Sequence, residues 1–196
     1  MQGITGDKEY SSIKKILTVK ALLIVLLLIF AACDGGSDGG DTSPGPTNSP
    51  PTNPPGGFED TMLELINDAR AEGRDCGSEF FPAAPPLSWD DRVAAAAEGH
   101  SEDMAENRFF DHEGSDGSDT GDRLMNEGYD PSAWGETILV GIENEAAVVE
   151  AFFDSPDHCM ILMDQSYEDV GVGAAEGIFK GQSTLYWTID VATEKN

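Results

Sequence analysis

PLSWDDRVAAAAEGHSEDMAENRFFDH, residues 86–112, carries the clearest helical pattern in the chain. Ser88 with Asp91 three residues on is the pattern of an N-cap with an acid at N3, where backbone N–H groups lack partners. Trp89, Val93, Ala96, Ala97, His100 and Met104 then recur on one face of the helix that follows. The run Ala94 to Ala97 presents only methyl groups, so a neighbouring element can approach the helix closely. His100 lies on the apolar face, where a core histidine bonded to a backbone carbonyl is preferred over a ligand. Phe109 and Phe110 end the pattern. His112 then leads into a Gly/Asp/Ser loop over residues 111–121, a position suited to a cleft wall.

Weaker elements extend outward from this helix. Met62, Leu65, Ile66 and Ala69 predict a first helix over residues 59–72, capped by Asp60 or Thr61 and ended by Gly73. Pro82, Pro85 and Pro86 make the stretch between the two helices a fixed loop. A short helix holds Leu124 and Met125 before Gly128-Tyr129. Ala147, Val148, Ala151 and Phe152 predict a helix over residues 143–153, stopped by Ser155-Pro156. Residues 170–174 and 185–191 read as strands, the second alternating Leu185, Trp187, Ile189 and Val191 with polar neighbours. Residues 138–140 add a third. Helices and short strands joined by long loops suggest an α+β, three-layer α-β-α sandwich around a mainly antiparallel sheet.

The first 57 residues do not look globular. Lys14, Lys15 and Lys20 precede an apolar run over residues 21–32. A spanning helix needs about 20 residues, so the run is too short to cross a bilayer and has the layout of a signal peptide instead. Phe30-Ala31-Ala32-Cys33 resembles the bacterial lipobox, with Phe30 where Leu is usual, and implies diacylglycerol on Cys33. Residues 33–57 then read as a Gly/Pro/Ser/Asp tether with nothing to build a core. Residues 58–196 remain for one domain, which at that size can fold alone. A formal charge of -26 with only 11 Lys and Arg excludes nucleic acid as a partner. Attachment to a membrane therefore has to be covalent or apolar, and lipidated Cys33 is the expected route. That places the domain in the cell envelope, on the extracytoplasmic side of a membrane.

With Cys33 assigned to lipid, Cys76 and Cys159 are left as an even pair in an oxidising compartment, and a disulfide is predicted between them. His112 and His158 are the remaining histidines open to chemistry. The Cys159 bond would hold the backbone of His158, and Glu136 lies between Gly135 and an apolar strand. Burying that acid is costly unless it is paired. No HExxH, GxSxG, P-loop or dinucleotide fingerprint is present.

An ordered set of short segments adds a resemblance. Asn67 and Arg70, Pro86-Leu87-Ser88-Trp89, His100-Ser101-Glu102-Asp103-Met104-Ala105 and Phe109-Phe110-Asp111-His112 resemble the bacterial branch of the CAP superfamily. So do Gly135-Glu136, Ser155-Pro156-Asp157-His158-Cys159, Gly171-Val172-Gly173 and Tyr186-Trp187. The superfamily includes cysteine-rich secretory, antigen 5 and pathogenesis-related 1 proteins. The resemblance implies the CAP (SCP) sandwich and a central cleft lined by two histidines and two acids, where some members bind zinc or another divalent cation. Carried over, these are His112, His158 and Glu136, with Ser155 in the place of the second acid. Glu150 on the same helix is an alternative. Thr137, Phe152 and Ile161 depart from the usual Asn, Trp and Asn.

Three functions follow as expectations. The first is a non-catalytic module that binds lipid, glycan or another envelope component through the cleft. The second is a hydrolase of peptide or cell-wall substrates, with zinc on His112 and His158 and with Glu136 as base or third ligand. The third is a tethered surface scaffold in which the polar groups form a satisfied internal network.

Overall fold

A computed structural model describes residues 57–196. The expected signal peptide, Cys33 and nearly all of the tether lie outside the described residues. Among the described residues no helix is long and apolar enough to cross a membrane.

Helix α1, Phe58–Arg70, buries Met62, Ile66 and Arg70. Its N-cap is Gly57, not the expected Asp60 or Thr61, and the Thr61 hydroxyl donates to the Gly57 carbonyl at 3.1 Å. The proline-rich connection contains a small hairpin that the sequence reading missed, β1 Arg74–Cys76 and β2 Glu79–Phe81. Gly77, with φ +68°, turns it.

Strand β3, Ser88–Trp89, corrects the expected helix start. Ser88 and Trp89 pair in parallel with Asp169 and Val170, so their backbones belong to the sheet. Asp90 is the true N-cap of α2, Asp91–Asn107, accepting from the N–H groups of Arg92 and Val93. Helix α3, Thr120–Asn126, opens with a capping box between Asp119 and Asp122 and buries Leu124 but not Met125. After strand β4, Pro131–Val140, helix α4 covers Glu145–Asp154, capped by Asn144. Ser155-Pro156 ends α4 as expected, but it also starts helix α5, Pro156–Leu162. Proline is tolerated at a first helical position because its missing N–H would have had no partner there.

Strands β5, Asp169–Phe179, and β6, Gln182–Glu194, run well beyond their expected limits. Lys180 and Gly181, both with positive φ, make a two-residue turn between them. The four-stranded sheet has the order β3-β5-β6-β4, antiparallel except for the β3–β5 pair.

One face of the sheet, with Val170, Val172, Trp187 and Ile189, packs on Met62, Ile66, Phe152 and Leu162 of α1, α4 and α5. Each such aliphatic side chain contributes about 1.5–3 kcal/mol by leaving water. The opposite face receives α2. A Cβ on Gly171 would lie 2.1 Å from Ala94 N, and one on Gly173 would lie 2.3 Å from Glu98 N. The alanine run and these glycines therefore let α2 lie backbone to backbone on the sheet. Two helical layers on one central sheet make the α-β-α sandwich.

Arg70, fully buried, knits these parts together. It donates to the carbonyl of Pro85 at 2.8 and 3.0 Å, to that of Asp164 at 3.1 Å, and to that of Leu162. Cys76 and Cys159 are bonded, with Cα atoms 5.4 Å apart, tying the β1–β2 hairpin to α5.

Candidate functional site

Strand β4 is an edge of the sheet, and Glu136 sits in its middle. The side chain is 4 % exposed and each carboxylate oxygen has a partner. His112 Nδ1 donates to Oε1 at 2.6 Å, and Arg123 Nη2 donates to Oε2 at 2.5 Å. Burial opposes ionisation of Glu136, but these donors outweigh it and hold the carboxyl below its usual value.

Local structure places each partner. Asp103 of α2 accepts from Ser115 N at 2.7 Å and from Ser115 Oγ at 2.6 Å, pinning the loop that carries His112. The Asp119 capping box starts α3, so Arg123 falls one turn in, over Glu136. Arg123 also donates to the carbonyl of Ser118 at 3.0 Å and to that of His112 at 3.2 Å. One guanidinium thus braces the loop and the acid together.

The His112 side chain is 57 % exposed, and its bond to Glu136 raises its pKa. Its Nδ1 is committed to the acid, so Nε2 is the nitrogen left for solvent or a ligand. His158, the third residue of α5, is half-buried and packs edge-on against Phe152 with ring centres 5.4 Å apart. Burial and then the charge of His112 push its pKa down. Gly135 lets Ile161 of α5 and Tyr167 lie against β4, because a Cβ there would lie 2.8 Å from Ile161 Cγ2 and 2.9 Å from Tyr167 Oη.

Ser155 makes no side-chain cap bond, and its carbonyl accepts from Cys159 N at 2.8 Å. Glu150 is exposed on α4. His100 is the core histidine expected: it is fully buried, with Nε2 3.0 Å from the carbonyl oxygen of Asp111. A carbonyl only accepts, so Nε2 carries the hydrogen. Burial lowers the pKa of His100, and Glu136 Oε1 lies 3.8 Å from Nε2.

Among the described residues no three His, Cys, Asp or Glu side chains stand where they could hold a metal ion. Both oxygens of Glu136 are already engaged by His112 and Arg123. The three-ligand zinc site expected from His112, His158 and Glu136 is therefore not assembled. A cavity of about 300 Å³ lies elsewhere, beside Phe58, Trp89, Glu98 and Gly173, and includes none of these groups.

A model of the cysteine-rich secretory protein family, CAP, matches residues 63–191. The chain belongs to this family. The CAP domain is 37 % identical over 87 residues to the membrane protein YlbC of Bacillus subtilis, covering 44 % of this chain and 25 % of that one. It is 25 % identical over 119 residues to YkwD of the same organism, covering 61 % and 43 %. The chain thus spans less than half the length of either relative. An extracellular SCP-domain protein of Bacillus anthracis shares the fold, with a TM-score of 0.51 at 22 % identity over 69 % of this chain and 41 % of that one. An outer surface protein of Borrelia burgdorferi does so with a TM-score of 0.50 at 18 % identity, covering 70 % and 90 %.

Sequence reading missed Arg123 and Asp190, although both face Glu136. Arg123 left a trace, since it is one of few cations in a chain of formal charge -26. Asp190 left another, an acid between Ile189 and Val191 in the stretch of β6 that is buried.

Proposed function

We propose that this CAP domain is a non-catalytic binding module held on the extracytoplasmic side of a membrane. It would take an envelope component, a lipid or a glycan, against the face presented by His112 and His158. The observation that carries this reading is the enclosure of Glu136. Its side chain is 4 % exposed and held by His112 at 2.6 Å and Arg123 at 2.5 Å, which withdraws the carboxylate from the role of a base for water. His112 offers an exposed imidazole in return, suited to a hydrogen bond with a ligand.

Attachment would run through lipidated Cys33 and the tether over residues 33–57. The resemblance of Phe30-Ala31-Ala32-Cys33 to a lipobox supports this. So do the names of the membrane protein YlbC and the Borrelia outer surface protein.

The test is retention of the full chain and of its His112→Ala variant on lipid vesicles and on peptidoglycan fragments. Binding of one class, lost in the variant, supports the reading; retention unchanged by the substitution removes the His112 face as the site. Cleavage of a peptide library with added zinc, abolished in His158→Ala, would replace it with the hydrolase. For the anchor, labelling with a radioactive fatty acid is expected in the wild type and absent in Cys33→Ser.

A further inference from the structure

Asp190 is a fully buried carboxyl with no role in the site described so far. It sits on β6 directly across from Glu136 on β4, so both side chains leave the sheet on the α2 face. The register makes the two carboxyl-bearing residues direct cross-strand neighbours. Among the described residues no donor reaches either Asp190 oxygen. Nearby cations do not neutralise it, because Arg123 Nη2 is spent on Glu136 Oε2 at 2.5 Å and buried His100 is held neutral.

An ionised carboxylate in that position would face a second carboxylate in a site closed to water, at a cost of several kcal/mol. A shared proton removes the conflict. Burial, and then the negative charge of Glu136, both favour the acid form of Asp190, whereas the donors on Glu136 favour its anion. The proton therefore resides on Asp190.

We infer that Asp190 is a neutral carboxylic acid whose O–H donates to Glu136, making it a positioning residue that fixes the Glu136 carboxylate between His112 and Arg123. Glu136 then accepts from three sides: imidazole Nδ1–H, guanidinium N–H and carboxyl O–H. The acid pair carries one negative charge, which Arg123 balances. The protonation of His112, with Asp111 beside it, then sets the charge of the face shown to a ligand.

This deepens the binding reading by saying how the His112 face is held. Its test uses no ligand, so the two can fail separately. The first measurement is infrared spectroscopy of the wild-type full chain at neutral pH, with and without carbon-13 in its aspartates. An isotope-sensitive band of a buried, protonated carboxylic acid is expected; its absence overturns the inference without any substitution. The second is NMR titration of histidine in Asp190→Asn and Asp190→Leu. Asn keeps a donor and the charge of a neutral acid, so the His112 midpoint and its downfield Nδ1–H resonance should match the wild type. Leu removes the donor, and that resonance should broaden or move upfield as Glu136 loosens. A His112 midpoint that falls in Asp190→Asn would mean that a negative charge had been removed, and Asp190 would be a carboxylate.

Discussion

Arg123 Nη2 stands 2.5 Å from Glu136 Oε2, with the two side chains only 10 % and 4 % exposed. Ion pairs this enclosed behave differently from surface pairs, because losing one partner strands a charge that water cannot reach. Arg123→Ala should therefore cost about 3–5 kcal/mol in chemical denaturation. Removing both charges, in Arg123→Ala with Glu136→Gln, should cost less than Arg123→Ala alone. Equal costs would mean that Glu136 finds another partner.

The three histidines should separate on titration. Hydrogen bonding to Glu136 raises His112, whereas burial depresses His100 and His158. In histidine NMR, His112 should be the last to lose its proton as pH rises, and Glu136→Gln should bring it down.

Stability should follow the same shifts with opposite signs. His112 favours the fold while protonated, and its contribution is lost as pH rises through its elevated value. That side chain is 57 % exposed, so solvent weakens the effect. His100 and His158 resist protonation in the fold, so stability is lost as pH falls below their unfolded value of about 6.5. The buried pair should prevail, and thermal midpoints should drop between about pH 7 and pH 5. A midpoint that rises over that window would contradict this assignment.

Reducing the disulfide should release α5 along with the hairpin. Closing a loop with a sequence separation of 83 residues stabilises the fold by about 4–5 kcal/mol in the chain-entropy account. Paired Cys76→Ser and Cys159→Ser substitutions should lower the denaturation midpoint accordingly, with the largest NMR changes around His158.

Two glycines make a contrasting pair. Gly173→Ala would force a Cβ to 2.4 Å from the Ala97 carbonyl oxygen, and α2 cannot retreat without leaving the sheet. A loss of about 3 kcal/mol is expected, at the upper end of overpacking costs. Gly99→Ala meets nothing within 4 Å and lies inside α2, so it should stabilise by about 0.5–1 kcal/mol.

Period and punctuation in the sequence determined most of the helices, the antiparallel strands and the cysteine pair. Helical spacing, alternation and the count of thiols are local properties that one chain carries on its face. The role of His100 was equally legible, because a histidine on an apolar face has few alternatives to a carbonyl. The start of α2 was not: Ser88 and Asp91 satisfy a capping pattern, yet the demand of β5 for a partner turned Ser88 and Trp89 into a strand. The β5–β6 turn escaped because Lys180-Gly181 lacks the usual Asn-Gly signal. His112 and Glu136 could be named from sequence, but not what holds them. Arg123 and Asp190 come from a separate helix and strand, and only the register of β4 against β6 and the placement of α3 direct them at one carboxylate. Tertiary structure alone decides such convergence, because the pairing energy of buried charges depends on distances that no spacing along the chain encodes.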